Sequence, residues 1–331
     1  MIAGRASAFS DPAVLKMARE DFVPVTADDW YQRRRQDAEG EFFRKVAAQG
    51  PRKGQGGSTR QGIYVLTADG ELLSYKNAGQ LAEVTREELT RGLDKYRKLP
   101  ENRRKPGAVT VGDPGKLDPA YTRTPPPGGL VVRVHARILD RNDGELCKGT
   151  CKTLGGDQAS RDFLWLTRDE VRALAPAKAD VGFTYDVPAA IRDRVLMFHL
   201  VDNTRGEPNF WTRDDVRRGR MTLTVTGVSD AGVELRLDGD ALLATNADPK
   251  KAERGYEVRL RGTLRYLPDK QTFDRFDVAA LGEHWGEGTY TRRARPGRSL
   301  LGVAFGPVVG DAPADRVPPQ AAREVGRYFA K

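Results

Sequence analysis

Residues 221–237 read MTLTVTGVSDAGVELRL, and this stretch indicates how the larger part of the chain folds. Two runs rich in apolar and β-branched residues, 221–228 and 233–237, flank the turn-forming sequence of residues 229–232. Similar runs follow at 256–266, 273–281 and 301–305, with further turn sequences at 237–239 and 268–270. Adjacent strands joined by short turns predict an antiparallel meander, built as a curved sheet, a sandwich or a partial barrel.

The region just before this meander adds one more long strand and short helices. Residues 130–139 alternate partly with a period of two, which predicts a strand, and residues 163–166 form a short apolar run. Thr167 and Glu170 have the spacing of a capping box at the start of a brief helix. A second helix is predicted over residues 188–198. We therefore expect a mainly antiparallel β domain with short helices over residues 130–331.

The first hundred residues alternate between helices and strands. Asp11 and Pro12 are typical of a helix start, and Asp69-Gly70 is typical of a tight hairpin turn. Thr85 and Glu88 have capping-box spacing. The predicted elements are a helix at 11–20, a buried strand at 22–25, a helix at 39–49, hairpin strands at 62–67 and 72–75, and a helix at 86–98.

This N-terminal order resembles the second half of a thioredoxin fold. The sequence AFSDPAV at residues 8–14, followed by FVPV at 22–25, is similar to the segment after the CxxC motif in thioredoxin-like proteins. The resemblance covers about residues 8–98 and implies a thioredoxin-like α/β unit, with strands 22–25 and 63–67 in one sheet. No cysteine precedes Cys147, and Gln61 stands where the family places a cis-proline. The resemblance therefore implies the fold without disulfide reductase chemistry in this unit.

The length and the order of the predicted elements together indicate an α+β protein of two domains and a linker. Hydrophobic residues make up 39% and charged residues 31% of the 331 residues, which is enough apolar material for compact cores. Residues 100–129 are rich in proline and predict a linker between a thioredoxin-like domain at 1–99 and the β-rich domain at 130–331. No run is long enough to span a bilayer, and the start lacks the order of a signal peptide, so we expect a cytoplasmic protein by default.

The net charge of +9 raises the question of nucleic-acid binding. The basic excess is spread over the whole chain, and the local arginine clusters carry no recognised nucleic-acid motif. A solvated basic surface is favoured over a nucleic-acid partner.

Cys147 and Cys151 form the sharpest local pattern in the chain. Their CxxxC spacing, with Lys148 and Lys152 beside them, fits a structural disulfide, unlinked thiols, or a redox or metal site. These three interpretations stay open at the level of sequence.

The histidines offer a second candidate for a metal such as zinc. Of the three in the chain, His199 and His284 lie in polar, loop-adjacent sequences and are expected to converge before His135 does. Carboxylates of Asp202, Glu283 or Glu287, or the cysteines, would complete such a site. No dense ligand motif supports it, so we expect structural histidines and no cofactor.

Two polar loops beside tryptophans complete the candidate sites. Residues 202–208 and 286–290 fit either ordinary loops on a β-sheet, which is the favoured interpretation, or a small-molecule site with aromatic walls. For such a site the candidate ligand-binding residues are Asp202, Arg205, Glu207, Trp285 and Glu287. The first function hypothesis is a non-catalytic thioredoxin-like protein whose β-rich domain binds a protein or small-molecule ligand. The alternatives are a thiol-redox or metal-dependent enzyme that uses Cys147 and Cys151, and a weak nucleic-acid binder.

Overall fold

The structure, a computed structural model, describes residues 8–54, 58–77, 81–110, 112–139, 141–142, 145–147, 151, 159–310 and 312–330. The chain divides into two compact units, one reaching to Arg123 and the other beginning at Thr124. It contains both helices and strands, with one large antiparallel sheet. In the part of the chain that the structure describes, no helix is both long enough and apolar enough to cross a bilayer.

The N-terminal unit is built from short helices around one hairpin. Its elements are α1 (Pro12–Asp21), α2 (Asp29–Gln32), α3 (Ala38–Ala47), β1 (Ile63–Leu66), β2 (Leu72–Lys76), α4 (Ala82–Arg97) and α5 (Glu101–Arg104). The Asp11 carboxylate accepts from the first amides of α1, which confirms the predicted helix start. Gly70 takes a φ of +86° in the hairpin turn, a conformation that favours glycine.

Two predictions for this unit are wrong. Residues 22–25 form no strand, because only Phe22 packs on the small core while Val23 and Val25 are 91% and 83% exposed. The predicted capping box fails because α4 begins earlier, at Ala82, so Thr85 and Glu88 are buried inside the helix. Among the described residues β1 pairs with β2 alone, and the thioredoxin-like arrangement stays a prediction.

The C-terminal unit is dominated by an eight-stranded sheet. Its strands are β3 (Leu130–Ile138), β6 (Asp162–Leu166), β7 (Thr184–Asp186), β8 (Val216–Ser229), β9 (Gly232–Ala244), β10 (Gly255–Leu267), β11 (Thr272–Trp285) and β12 (Arg298–Pro307). They follow the order β6-β3-β12-β11-β10-β9-β8-β7, and every pair is antiparallel. A two-stranded pair, β4 (Arg141–Asn142) and β5 (Glu145–Leu146), lies apart from this sheet. The predicted meander from β8 to β12 is therefore confirmed.

The turn predicted at residues 237–239 is wrong, because those residues lie inside β9. Gly239 pairs with Met221 on one side and Leu260 on the other. A Cβ at Gly239 would lie 2.8 Å from the carbonyl oxygen of Arg220 in β8. Glycine is therefore needed where β8 and β9 approach closely. Asp238 accepts from Arg236 and Arg261 across the outer face of the sheet.

Helices cover the inner face of the sheet. They are α6 (Arg168–Leu174), which begins at the predicted Thr167–Glu170 capping box, α7 (Ala189–Arg194), and a π-helical turn over Val195–His199 that continues α7. Their apolar side chains join one cluster with the inward residues of the strands, including Ile191, Leu223 and Val303. The outer face instead carries cross-strand ion pairs such as Arg265–Asp274.

The chain ends in a segment that packs against β6. It comprises short 3-10 turns at Pro313–Asp315 and Gln320–Glu324 and the helix α8 (Val325–Tyr328). Ala321, Ala322 and Tyr328 form a second apolar cluster with Phe163 and Trp165 of β6, whereas Leu164 and Leu166 point into the main core. Strand β6 is thus buried on both faces, which explains its unbroken apolar run.

Candidate ligand-binding pocket

A row of three polar side chains crosses three neighbouring strands near one end of the sheet. His284 of β11 lies opposite Tyr256 of β10 on one side and Ser299 of β12 on the other. Directly opposed residues of antiparallel strands point to the same face, and this row points inward. Further along these strands the inward residues are apolar, for example Ala280 and Leu301. The row is therefore the polar end of an otherwise apolar inner face.

A loop that follows the π-helical turn brings two charges beneath this row. Asp202 accepts from the Thr204 amide at 2.9 Å and from its hydroxyl at 2.7 Å, and forms an ion pair with Arg205 at 2.5 Å. The side chains of Arg205 and Asp202 are 2% and 3% exposed, so the pair is buried. A buried pair needs its remaining polar atoms satisfied, and the three hydrogen bonds on Asp202 do this for the carboxylate.

Arg205 joins this loop to the loop that leaves β11. Its guanidinium donates to the carbonyl oxygen of Thr291 at 2.7 Å and to that of Gly286 at 3.2 Å. A third acceptor is the Arg292 carbonyl oxygen at 3.3 Å. With all of these donors committed, Arg205 acts as a support that fixes the pocket wall.

The end of β11 is shaped by two glycines. Gly255 pairs with Trp285, and a Cβ there would lie 2.1 Å from the indole ring, so only glycine leaves room for it. Gly286 has a φ of +82°, where the chain turns away from the strand. The Trp285 indole N–H donates to the Ala252 carbonyl oxygen at 3.0 Å and the Arg298 guanidinium stacks 4.2 Å from its ring centre. Trp285 is therefore a rigid wall.

These elements enclose a small cavity, which we call the His284 pocket. Its volume is about 20 Å³, close to the space that a single water molecule or one small polar group needs. The pocket is lined by Asp202, Arg205, His284, Arg295 and Ser299 on its polar side, and by Ile138, Trp285, Ala294, Leu300 and Leu301 elsewhere.

The charge states in the pocket follow from burial and from neighbouring charges. Burial lowers the pKa of His284 to about 4, with Arg205 and Arg254 acting in the same direction and Asp202 opposing them. Burial acts to raise the pKa of Asp202, but Arg205, His284 and Thr204 outweigh it and lower that pKa. At neutral pH the pocket therefore holds a neutral imidazole beside an ionised, paired carboxylate.

This arrangement is suited to binding and lacks the contacts of a nucleophilic triad. Within the described residues no hydrogen bond links His284 to Ser299 or to Asp202, whose oxygens are committed to Thr204 and Arg205. A triad needs a base hydrogen-bonded to the nucleophile and oriented by the acid. Ser299 and His284 instead line the cavity, where a hydroxyl and a neutral imidazole can each donate or accept a hydrogen bond.

Of the ligand-binding residues predicted from the sequence, the structure brings three together. Asp202, Arg205 and Trp285 all line the His284 pocket. Glu207 lies elsewhere and pairs with Arg323 at 2.5 Å. Glu287 accepts from the Ala294 amide at 2.7 Å, so it shapes the loop above the pocket without lining the cavity.

The two histidines proposed as metal ligands lie in different clusters. His199 faces Asp162 at 3.5 Å and hydrogen-bonds the Tyr328 hydroxyl at 3.1 Å, whereas His284 packs edge-on against Tyr256. In the ranges the structure describes, no group of three histidine, cysteine or carboxylate side chains is placed to hold a metal ion. The residue types for zinc are present, but the described residues do not assemble a site for it.

Cys147 and Cys151 are joined in a disulfide, with their Cα atoms 5.8 Å apart. Cys147 is buried and Cys151 is partly exposed, and the Cys147 carbonyl oxygen accepts from Arg137 of β3 at 3.2 Å. Of the three interpretations of the CxxxC pattern, the structure contains the disulfide. Lys148 and Lys152 lie outside the described residues.

Sequence reasoning missed Ser299, Arg295 and Tyr256. Inward positions of β12 alternate with outward ones, and Ser299 occupies the inward position two residues before Leu301. A polar residue at a position where the alternation predicts an apolar one could have identified Ser299 from the sequence. No comparable signal marked Arg295, because its position depends on how the loop after β11 folds back.

Comparisons with known proteins give no relative for this chain. No protein-family model, curated protein or solved structure matches it.

Proposed function

We propose that the C-terminal unit is a non-catalytic ligand-binding module, attached to a thioredoxin-like N-terminal unit, and that its ligand inserts a small polar group into the His284 pocket. The observation that carries this proposal is the placement of a neutral histidine and a serine hydroxyl toward a cavity at the polar end of an apolar sheet face. Pockets that bind small molecules typically combine apolar walls with a few convergent polar groups.

The size of the cavity limits what part of the ligand it holds. At about 20 Å³ it accepts a terminal group of a few atoms, and the rest of the ligand would lie outside, against Trp285. Binding is favoured over nucleophilic catalysis because, among the described residues, no hydrogen bond joins His284 to a nucleophile or to an orienting carboxylate.

The other functions are weaker proposals. The disulfide already joins the two cysteines that a redox or metal-dependent enzyme would use, and such a bond is typical of oxidising compartments. A nucleic-acid partner is not favoured, because arginines on the outer sheet face, such as Arg218 and Arg265, pair with neighbouring carboxylates.

The test is an NMR titration of the His284 ring signals with three small probes: formate, formamide and methylammonium. Formate and formamide have three heavy atoms and methylammonium has two, and each heavy atom contributes at most about 1.5 kcal/mol, so the tightest Kd expected is about 1 mM. Titrations should therefore extend to about 100 mM probe, so that binding with a Kd well above 1 mM is still detected. We expect at least one probe to shift the His284 signals saturably.

A matched pair of variants controls for indirect effects. Ser299→Leu fills the cavity and should abolish the response, whereas Ser229→Leu, at the exposed end of β8, should leave it unchanged. Absence of a saturable shift with all three probes in the wild-type protein would contradict the proposed function.

A further inference from the structure

We infer that Arg254 anchors an oxyanion-binding site, which takes a carboxylate or phosphate group of a ligand on one edge of its guanidinium. This site is separate from the His284 pocket, whose described lining does not include Arg254, and it does not depend on the proposed function. Arg254 directly precedes β10 and stands two residues before Tyr256, so it extends the inward phase of that strand. The site therefore lies at the polar end of the sheet, next to the row that contains His284.

The Arg254 guanidinium is buried and makes one hydrogen bond among the described residues. The residue is 8% exposed, and Nη1 donates to the carbonyl oxygen of Asn209 at 2.5 Å. Within the part of the chain that the structure describes, Nε and Nη2 donate to no protein atom, and no carboxylate lies within ion-pair distance. Such a cation is costly, because burial removes much of the water that would solvate its charge and its N–H groups. A partner supplied by a ligand would therefore stabilise it.

The uncommitted donors of Arg254 share one edge of the guanidinium. The Nε–H and one N–H of Nη2 point in parallel along this edge, because the group is planar and rigid. Two parallel donors match two oxygens of a carboxylate or a phosphate, in the bidentate geometry that arginine favours. An uncharged amide offers one acceptor oxygen and no compensating charge. The edge therefore selects an oxyanion.

The guanidinium is held in place before any ligand binds. Its Cζ lies 3.8 Å from the ring centre of Trp211, and the Trp211 indole N–H donates to the Leu200 carbonyl oxygen at 2.8 Å. The Arg254 amide donates to the Thr245 hydroxyl at 3.2 Å, and the Arg254 carbonyl oxygen accepts from the Thr245 amide at 3.0 Å. Because side chain and backbone are both fixed, little ordering cost opposes binding.

The charges around Arg254 leave it without a paired anion. Burial lowers the pKa of its guanidinium, and Asp215 opposes this from beyond ion-pair distance. One oxygen of Asp215 already accepts from the amide and the hydroxyl of Thr212, each at 2.8 Å. Arg254 in turn acts on His284 as a nearby cation that lowers its pKa. A bound oxyanion would supply the negative charge that Arg254 lacks.

The experiment titrates the full chain, labelled with ¹⁵N-tryptophan, with inorganic phosphate, acetate and acetamide at constant ionic strength. The chain has four tryptophans, and Trp211→Phe identifies the indole signal of the ring that touches Arg254. We expect phosphate or acetate to shift this signal saturably and to bind at least about fivefold more tightly than acetamide. The oxyanion that binds more tightly identifies the ligand group as a phosphate or a carboxylate.

Two variants separate a bidentate contact from a general attraction of anions. Arg254→Lys keeps the charge but loses the paired donors, so it should weaken oxyanion binding at least about fivefold. A cooperative urea transition would show that this variant is folded. Arg259→Gln, on the exposed outer face of β10, should leave the affinity unchanged.

Three results would overturn the inference. The first is no saturable shift of the Trp211 signal with either phosphate or acetate in the wild-type protein. The second is acetamide binding as tightly as both oxyanions. The third is equal oxyanion affinity in the wild-type protein and folded Arg254→Lys, or equal weakening by Arg254→Lys and Arg259→Gln.

Discussion

Replacing Tyr328 with phenylalanine removes a single hydroxyl from the interface between the C-terminal segment and β6. Tyr328 is 1% exposed, and its hydroxyl accepts from the Trp165 amide at 3.1 Å. The same hydroxyl lies 3.1 Å from His199 Nε2. Nδ1 of that ring faces the Asp162 carboxylate at 3.5 Å. One hydroxyl thus satisfies two buried groups.

The expected loss of stability follows from those two groups. Phenylalanine keeps the ring contacts with Phe198 and Arg194, so packing changes little. A buried donor or acceptor without a partner costs about 1–3 kcal/mol. With two such groups, Tyr328→Phe should lower the free energy of unfolding of the C-terminal unit by about 2–6 kcal/mol.

Urea unfolding followed by tryptophan fluorescence measures this loss. The slope with denaturant should stay constant, because the surface exposed on unfolding is nearly the same. Tyr290→Phe is the matched control, since Tyr290 is 68% exposed and its loss should change stability by less than about 0.5 kcal/mol. If Tyr328→Phe also stays below about 0.5 kcal/mol, the hydroxyl does not satisfy buried groups and the reasoning fails.

Three further predictions concern pH, proteolysis and the disulfide. Because the pKa of His284 falls from 6.5 unfolded to about 4 folded, the unfolded chain binds more protons between these values. The free energy of unfolding, measured by urea titration, should therefore fall by up to about 3 kcal/mol as the pH drops from 6.5 to 4. His284→Gln should make the free energy of unfolding less dependent on pH in this range. The same pH dependence in the wild-type protein and the variant would contradict the assignment to His284. Brief trypsin digestion should cut first after Arg104 or Lys116, because residues 101–108 and 112–117 are exposed. Arg259 and Arg261 should be protected, because they lie within β10. If mass spectrometry finds the first cuts inside the large sheet, this prediction is wrong. The unreduced, urea-unfolded protein should show no thiol reactive toward Ellman's reagent and two after reduction; two reactive thiols without reductant would exclude the disulfide.

Local sequence determined the secondary structure where the stabilising interactions are themselves local. The Thr167–Glu170 capping box, the Asp11 helix cap and the Asp69-Gly70 turn each involve residues within four positions of one another, and all three form as predicted. The strands β8 to β12 were also predicted from the sequence, because alternating or continuous apolar residues indicate which side chains face a core.

The failures of local reasoning show where tertiary context took over. Residues 22–25 have the composition of a buried strand, but burial requires a partner surface, and only Phe22 finds one. Asp238 and Gly239 are turn-forming residues, yet the flanking strands extend through them, because cross-strand pairing on both sides outweighs the turn preference.

The candidate pocket depended on the tertiary structure most of all. Asp202 and His284 are far apart in sequence, and they meet because the loop after the π-helical turn folds beneath the ends of β10 and β11. Ser299 lies opposite His284 only in the register that β11 and β12 adopt. The sequence alone could name Asp202, Arg205, Trp285 and His284 as candidates from their residue types. Strand register and loop closure, which are set by long-range pairing, decided that they share one cavity with Ser299 and Arg295.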